Sequence, residues 1–249
     1  GVDMDGAEAV YAAAPAKAAS APAREPVARP SLGSPKAAPK PRLRPSPSSP
    51  VDNARALATA AHSVADLRAA VESFEGCALK ATARNTCFAD GVDDAPVLVI
   101  GEAPGKDEDE QGKPFVGRSG QLLDRMLGQI GLSRKENVLI SNTIYWRPPG
   151  NRDPTQGEIV ACLPFVERLI ELKQPRLLIP TGKAAAHTVL KREDGVMKLR
   201  GRRLSYSRDG LATPINAMVM LHPAYLLRQP QQQRVAWGDL LLAEAWLEG

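Results

Sequence analysis

The sequence lacks any apolar run approaching the roughly 18 residues of a membrane span, so an integral helical membrane protein is not expected. It has only three cysteines, Cys77, Cys87 and Cys162, with no C-x-x-C pair. A disulfide scaffold is therefore not expected, and one chain cannot supply a four-cysteine metal site. Such cysteine usage fits a reducing compartment, and a cytoplasmic location is expected. The opening GVDMDG is acidic and no apolar h-region follows it, so no secretory signal is expected; residue 1 is Gly, which leaves the natural start open. No G-x-G-x-x-G is present. Gly105–Lys113 (GKDEDEQGK) has six residues between its glycines where a P-loop has four, and Pro114 follows the lysine. No Ser–His–Asp or Cys–His order can be placed. Charge of one sign is also scarce. The net charge is +4, and residues 1–50, with seven basic and four acidic side chains, carry +3 of it. A nucleic-acid role must then rest on local patches rather than on overall charge.

What is present divides the chain in two. Residues 1–50 contain 13 Ala and 10 Pro and almost no large apolar side chain, so they are expected to be a disordered tail ending in the basic linker Lys36–Pro50. Residues 51–249 are expected to form one domain, its first helix carrying Val64, Leu67, Val71 and Phe74 with Ser63 as N-cap. Four short runs, Val97–Gly101, Val138–Asn142, Arg176–Pro180 and Ala217–Leu221, are apolar on both faces and read as buried parallel strands. Helical stripes lie between them: Leu122, Leu123, Met126 and Ile130, then Ile159, Leu163, Val166 and Ile170 behind the capping box Thr155–Glu158. Residues 183–191 and 233–248 read as further helices. The alternation predicts an α/β fold, a three-layer α/β/α sandwich around a central four-stranded parallel sheet.

The unusual residues cluster by position. Each strand is followed by a segment rich in Gly, Pro, Asn, His or Arg: GEAPG and PFVGR after the first, NTIYWRPPGNR after the second, TGK after the third, HPAYLLR after the fourth. Open parallel sheets bind ligands beyond the carboxyl ends of their strands, so one edge is expected to hold a site. The acidic run Asp107–Glu110 reads as a solvated loop, with a hard-cation site as the alternative. His62 and His187 read as ordinary helix residues.

Taken in order, GEAPG, PFVGRSG, N-x-x-x-x-RPPGNR-x-PT and HPAYLLR resemble the uracil-DNA glycosylase superfamily, and within it the family-four, iron–sulfur branch, over about residues 70–247. Family-four proteins hold a four-iron cluster on four cysteines. By the resemblance, Cys77 matches the first ligand and Cys162 the fourth, but Lys80 and Trp146 stand at the second and third, and Cys87 is at no ligand position. No cluster and no other cofactor or metal is therefore expected, with Trp146 filling the space and packing replacing the metal as a staple.

The resemblance also implies site residues. Uracil in DNA must be flipped from the stack to be read. Phe115 is the expected stacking face, and Asn142 the expected reader of the uracil edge, donating to O4 and accepting from the ring N–H. Gly101, Ala103 and Glu108 are expected around the base, with Glu108 closing the pocket. His222 is the expected donor to uracil O2 as negative charge builds there. Well-studied relatives place the attacking water with an Asp at the position of Ala103, so Glu102 and Asn151 are the candidates here. Leu226 and Leu227 are expected as an apolar wedge, and Arg228, Arg118, Arg147, Arg152, Lys183 and Arg200 as DNA contacts. The reading is a monomeric, monofunctional uracil-DNA glycosylase acting on uracil-containing DNA in base excision repair. Its rivals are a glycosylase for hypoxanthine or xanthine, and a uracil- or abasic-DNA-binding protein without turnover.

Overall fold

A computed structural model describes residues 49–248. The expected tail therefore lies outside the described residues except for its end, where Ser49 caps a helix beginning at Pro50. In chain order the elements are α1 (Pro50–Ala60), α2 (Val64–Ser73), β1 (Ala89–Gly91), β2 (Val97–Gly101), α3 (Lys106–Gln111), α4 (Arg118–Gly128), β3 (Val138–Asn142) and α5 (Gln156–Lys173). There follow β4 (Leu177–Pro180), α6 (Gly182–Leu190), α7 (Val196–Leu199), β5 (Leu204–Tyr206), β6 (Ile215–Ala217), α8 (Pro223–Arg228) and α9 (Gln233–Glu248).

The sheet has six strands in the order β1-β3-β2-β4-β6-β5, not four. The parallel centre is as expected, β3-β2-β4-β6, and the added edges β1 and β5 run antiparallel. Each edge strand is three residues long, too short for a periodic signal. The fourth run pairs as β6 plus single bridges at Val219 and Met220, so its regular part starts two residues earlier than the apolar pattern suggests.

Alternate residues of each central strand enter different layers. Leu98, Ile100, Leu139 and Leu178 pack with α1, α2 and α5, whereas Val97, Val99, Ile140, Leu177 and Ile179 pack with α4 and α9. This is the three-layer sandwich. The expected caps hold: Ser63 Oγ accepts from Asp66 N at 3.0 Å, and Thr155 and Glu158 complete a capping box on α5. The acidic run is not a solvated loop but α3, with Glu108 and Asp109 buried. Asp109 accepts from the amides of Arg84 and Asn85, tying α3 to the segment before β1.

Beneath α5, an aromatic group of Phe74, Phe165, Tyr145 and Trp146 fills the layer, with ring centroids 5.1–6.5 Å apart in the contacting pairs. Trp146 satisfies its Nε1–H on Thr86 Oγ1 at 3.0 Å, but the buried Tyr145 hydroxyl has no partner. A buried hydroxyl without a partner costs about 1–3 kcal/mol. Tyr145→Phe is therefore expected to keep or raise stability in a denaturant titration. A clear fall in the midpoint would show that the hydroxyl is bonded after all.

Candidate active site

The carboxyl ends of β2, β3 and β4 and the chain after β6 form the floor of a cleft of about 680 Å³. Strand register places Gly101 directly beside Asn142. The strand ends are tied together as Thr143 N bonds Gly101 O at 2.9 Å, Thr181 N bonds Ile100 O at 2.8 Å and Gly182 N bonds Met220 O at 2.8 Å. These bonds fix the starting points of the loops that rise around the cleft.

Asn142 is 2% exposed and its Oδ1 has no hydrogen-bond partner. Asn142 also lines the cleft, so this oxygen is an acceptor without a protein partner at the cleft wall. Gly101 is glycine because of close approach: a Cβ there would overlap Asn142 Oδ1 and the Phe115 ring. Phe115 is buried and takes a left-handed φ of +54°, a conformation that costs a non-glycine residue about 1–2 kcal/mol. Its ring lies 5.6 Å from that of His222, tilted by 31°.

His222 precedes α8, and its Nδ1 accepts from Ala224 N at 3.1 Å. An accepting Nδ1 leaves the proton of the neutral imidazole on Nε2. Burial, and secondarily the charge of Arg228, lower its pKa to about 4, so the ring is neutral at working pH. A neutral Nε2–H is a donor that needs no prior protonation. Gly182, at φ +83°, lies against this ring, where a Cβ would stand 3.0 Å from His222 Cβ.

Glu108 closes one side. Its carboxylate accepts from Gly105 N (3.1 Å), Val116 N (2.9 Å) and Gly117 N (2.8 Å), joining the loop after β2 to the loop before α4. Glu102 and Ala103 line the cleft beside it. Burial, and then the charge of Asp153 across the cleft, hold the Glu102 carboxyl above its ordinary range. Asn151, at φ +55°, accepts from Arg147 Nε at 2.7 Å through its Oδ1 and is among the residues lining the cleft.

The cleft thus gathers Glu102, Ala103, Glu108, Phe115, Asn142, Asn151, Arg152, Lys183, His222 and Arg228 from the expected set. Others fall elsewhere. Leu226 is fully buried against Leu122, Leu221 and Ala236, so it is core and not a wedge; Leu227 is half-buried beside it. Arg200 turns inward, bonding the buried Asp239 with two nitrogens and Val235 O at 3.1 Å, and does not reach the cleft. Arg152 holds Glu158 in a two-bond ion pair at 2.7 and 2.9 Å. Arg118 is exposed at the start of α4, outside the lining, and Arg147 is half-buried. Sequence reasoning missed Asp153, Ser119, Thr181, Tyr225 and His187, all of which line the cleft. Asp153 and Tyr225 sit inside quoted motifs, so position alone marked them. His187 faces the site because it lies one and a half turns into α6, which starts at the β4 end.

The four-cysteine cluster does not fit the residues present. Lys80 Nζ is engaged with Glu72 O (2.6 Å) and Glu75 (2.5 Å), and Trp146 is fully buried. Cys77 and Cys162 are both buried free thiols, and each other's proximity pushes the Cys77 pKa down and the Cys162 pKa up. Among the described residues no group of three or more His, Cys, Asp or Glu is arranged to hold a metal, and no helix is long and apolar enough to cross a membrane.

A family model described as the uracil DNA glycosylase superfamily matches residues 88–244. A type-4 uracil-DNA glycosylase of Saccharolobus solfataricus is 37% identical over 174 residues, covering 68% of this chain and 79% of that protein. One of Thermotoga maritima is 32% identical over 181 residues, 72% of this chain and 91% of that protein. A DNA polymerase of Bacillus phage SP01 is 29% identical over 155 residues, which make up 62% of this chain and 16% of the polymerase.

Proposed function

The chain belongs to the uracil DNA glycosylase superfamily and is a DNA glycosylase, and we propose from this that it flips uracil out of DNA and hydrolyses its N-glycosidic bond, leaving an abasic site. The observation that carries the reading is the pairing of a buried, partnerless Asn142 Oδ1 with a neutral His222 on one cleft wall. An amide meets uracil's ring N–H and O4 together. Cytosine, with an acceptor and an amino group at those places, presents the opposite pattern.

Phe115 stacks on the flipped base, with base–aromatic stacking worth about 1–3 kcal/mol. As the glycosidic bond lengthens, negative charge moves onto the base and positive charge onto the sugar. His222 Nε2–H donates to O2 and stabilises the leaving anion. Glu102 accepts a proton from the attacking water, Asn151 helps to place that water, and both carboxylates of the Glu102–Asp153 pair face the cationic sugar. Lys183, Arg228 and Arg152 at the cleft rim meet phosphates, with Arg118 and Arg147 farther out. Tyr225 and Leu227 take the wedge role that Leu226 cannot. No iron–sulfur cluster enters the reading. The motifs offer no obvious Schiff-base lysine, so strand cleavage is not part of the reading.

The test is a labelled duplex with a single uracil, mixed with excess monomeric protein and divided before alkali treatment. Cleavage only after alkali supports the monofunctional reading. Cleavage without alkali overturns it, and a gel shift with no alkali-labile site overturns the glycosylase reading altogether.

The raised Glu102 carboxyl gives a pH signature. Glu102 must be ionised to accept a proton, so the acid limb of the single-turnover rate is expected above the ordinary glutamate range of about 4.3. Removing the Asp153 charge lowers the Glu102 pKa, so Asp153→Asn is expected to move that limb to lower pH; burial, the larger cause, remains. A limb that stays put or moves up in Asp153→Asn contradicts the pairing.

A further inference from the structure

Arg134 lies in the turn between α4 and β3, outside every motif and outside the cleft lining. Its side chain is 14% exposed and every branch of its fork is in use. Nε bonds Asp124 Oδ1 at 2.9 Å on α4, and Nη1 bonds Asp90 Oδ2 at 2.9 Å on β1. Nη1 also bonds Pro114 O at 3.0 Å, and Nη2 bonds Phe115 O at 2.7 Å. Two carboxylates thus fix the guanidinium, and the guanidinium fixes two successive carbonyls of the cleft loop. Gly120 lies against the same carbonyl, since a Cβ there would overlap Phe115 O. Between these two contacts Phe115 is kept in its left-handed conformation, and its ring is delivered against Gly101 and toward His222.

We propose that Arg134 is a positioning residue for base release: it holds the Phe115 backbone so that the ring stays registered against the Asn142–His222 wall, without itself touching the substrate. The role rests on the glycosylase reading above. A guanidinium is required because a lysine ammonium, a single point charge, cannot span both carbonyls and both carboxylates. Misplacement of a binding group by about 1 Å can lower a rate about 10²-fold.

The experiment compares Arg134→Lys, Arg134→Ala and Asp124→Asn with the wild type, reading the single-turnover rate of uracil release, KM, thermal midpoint and hydrogen exchange at the amides of Val116 and Gly117. The wild-type rate is the control: if it is nil, the glycosylase reading fails, and exchange still tests the clamp. With an active wild type, Arg134→Lys and Arg134→Ala are expected to lose about 10- to 100-fold in rate, with KM changed less than about threefold. Val116 and Gly117 exchange should quicken in both variants. Asp124→Asn, which spares both carbonyl bonds, is expected to stay within about twofold of the wild-type rate, as Asp90 still anchors the guanidinium. A wild-type rate in Arg134→Lys with only a lower thermal midpoint would reduce the residue to a structural role and overturn the proposal. So would a lost rate with unchanged exchange at Val116 and Gly117.

Discussion

His222→Ala is expected to slow uracil release about 10²- to 10³-fold in single turnover, the scale seen when one donor to a developing anion is removed. The imidazole is held ready before any substrate arrives. Ala224 N fixes Nδ1 as the acceptor, the Gly182 backbone backs the ring, and burial keeps it neutral down to about pH 4. The loss should therefore be nearly constant from pH 6 to 8, because the wild-type ring does not titrate there. An imidazole whose pKa is lowered in the folded protein is favourable when neutral, so its contribution is full above about pH 6.5 and falls as the pH drops toward 4. His222→Ala should lose this part of the acid sensitivity. A rate drop confined to acidic pH would mean that the protonated ring acts instead.

Asn142→Ala is expected to cost on the order of 10³-fold or more in kcat/KM for uracil, since a site built to hydrogen-bond its ligand discriminates strongly when that pairing is lost. Stability should move the other way. Without a base, Oδ1 is buried and unpaired, a penalty of about 1–3 kcal/mol that the alanine variant does not carry. The thermal midpoint should then stay level or rise while activity collapses, and affinity for undamaged DNA, carried by phosphate contacts, should hold within about threefold. A variant that loses activity and stability together would make Asn142 a structural amide rather than a reader of the base.

Much of this site was legible because its residues sit on strand ends. Asn142 and Gly101 close apolar runs, and parallel register brings such ends to one edge whatever the loops do. Phe115 and His222 were readable from their motifs, but their conformations were not. Neither the φ of Phe115 nor the Nδ1 bond of His222 leaves a mark in composition or periodicity. Leu226 and Arg200 were misread for the same reason from opposite sides. A leucine pair entering a short helix gives no sign of which member faces inward, and Arg200 finds its partner, Asp239, 39 residues away on α9. Arg134 was invisible: its partners come from β1, α4 and the cleft loop, and only the folded chain assembles them. The acidic run of α3 misled because a charge cluster normally faces water, whereas Glu108 and Asp109 here collect loop amides.

The most direct measurement is the identity and yield of the released base. Excess protein is incubated with single-uracil, inosine and cytosine oligonucleotides, and free bases are quantified by mass beside the abasic sites formed. One free uracil per abasic site is expected from the uracil strand, and nothing from the other two. Hypoxanthine released as fast as uracil, or tight binding of uracil DNA with no base released, would contradict excision specific to uracil.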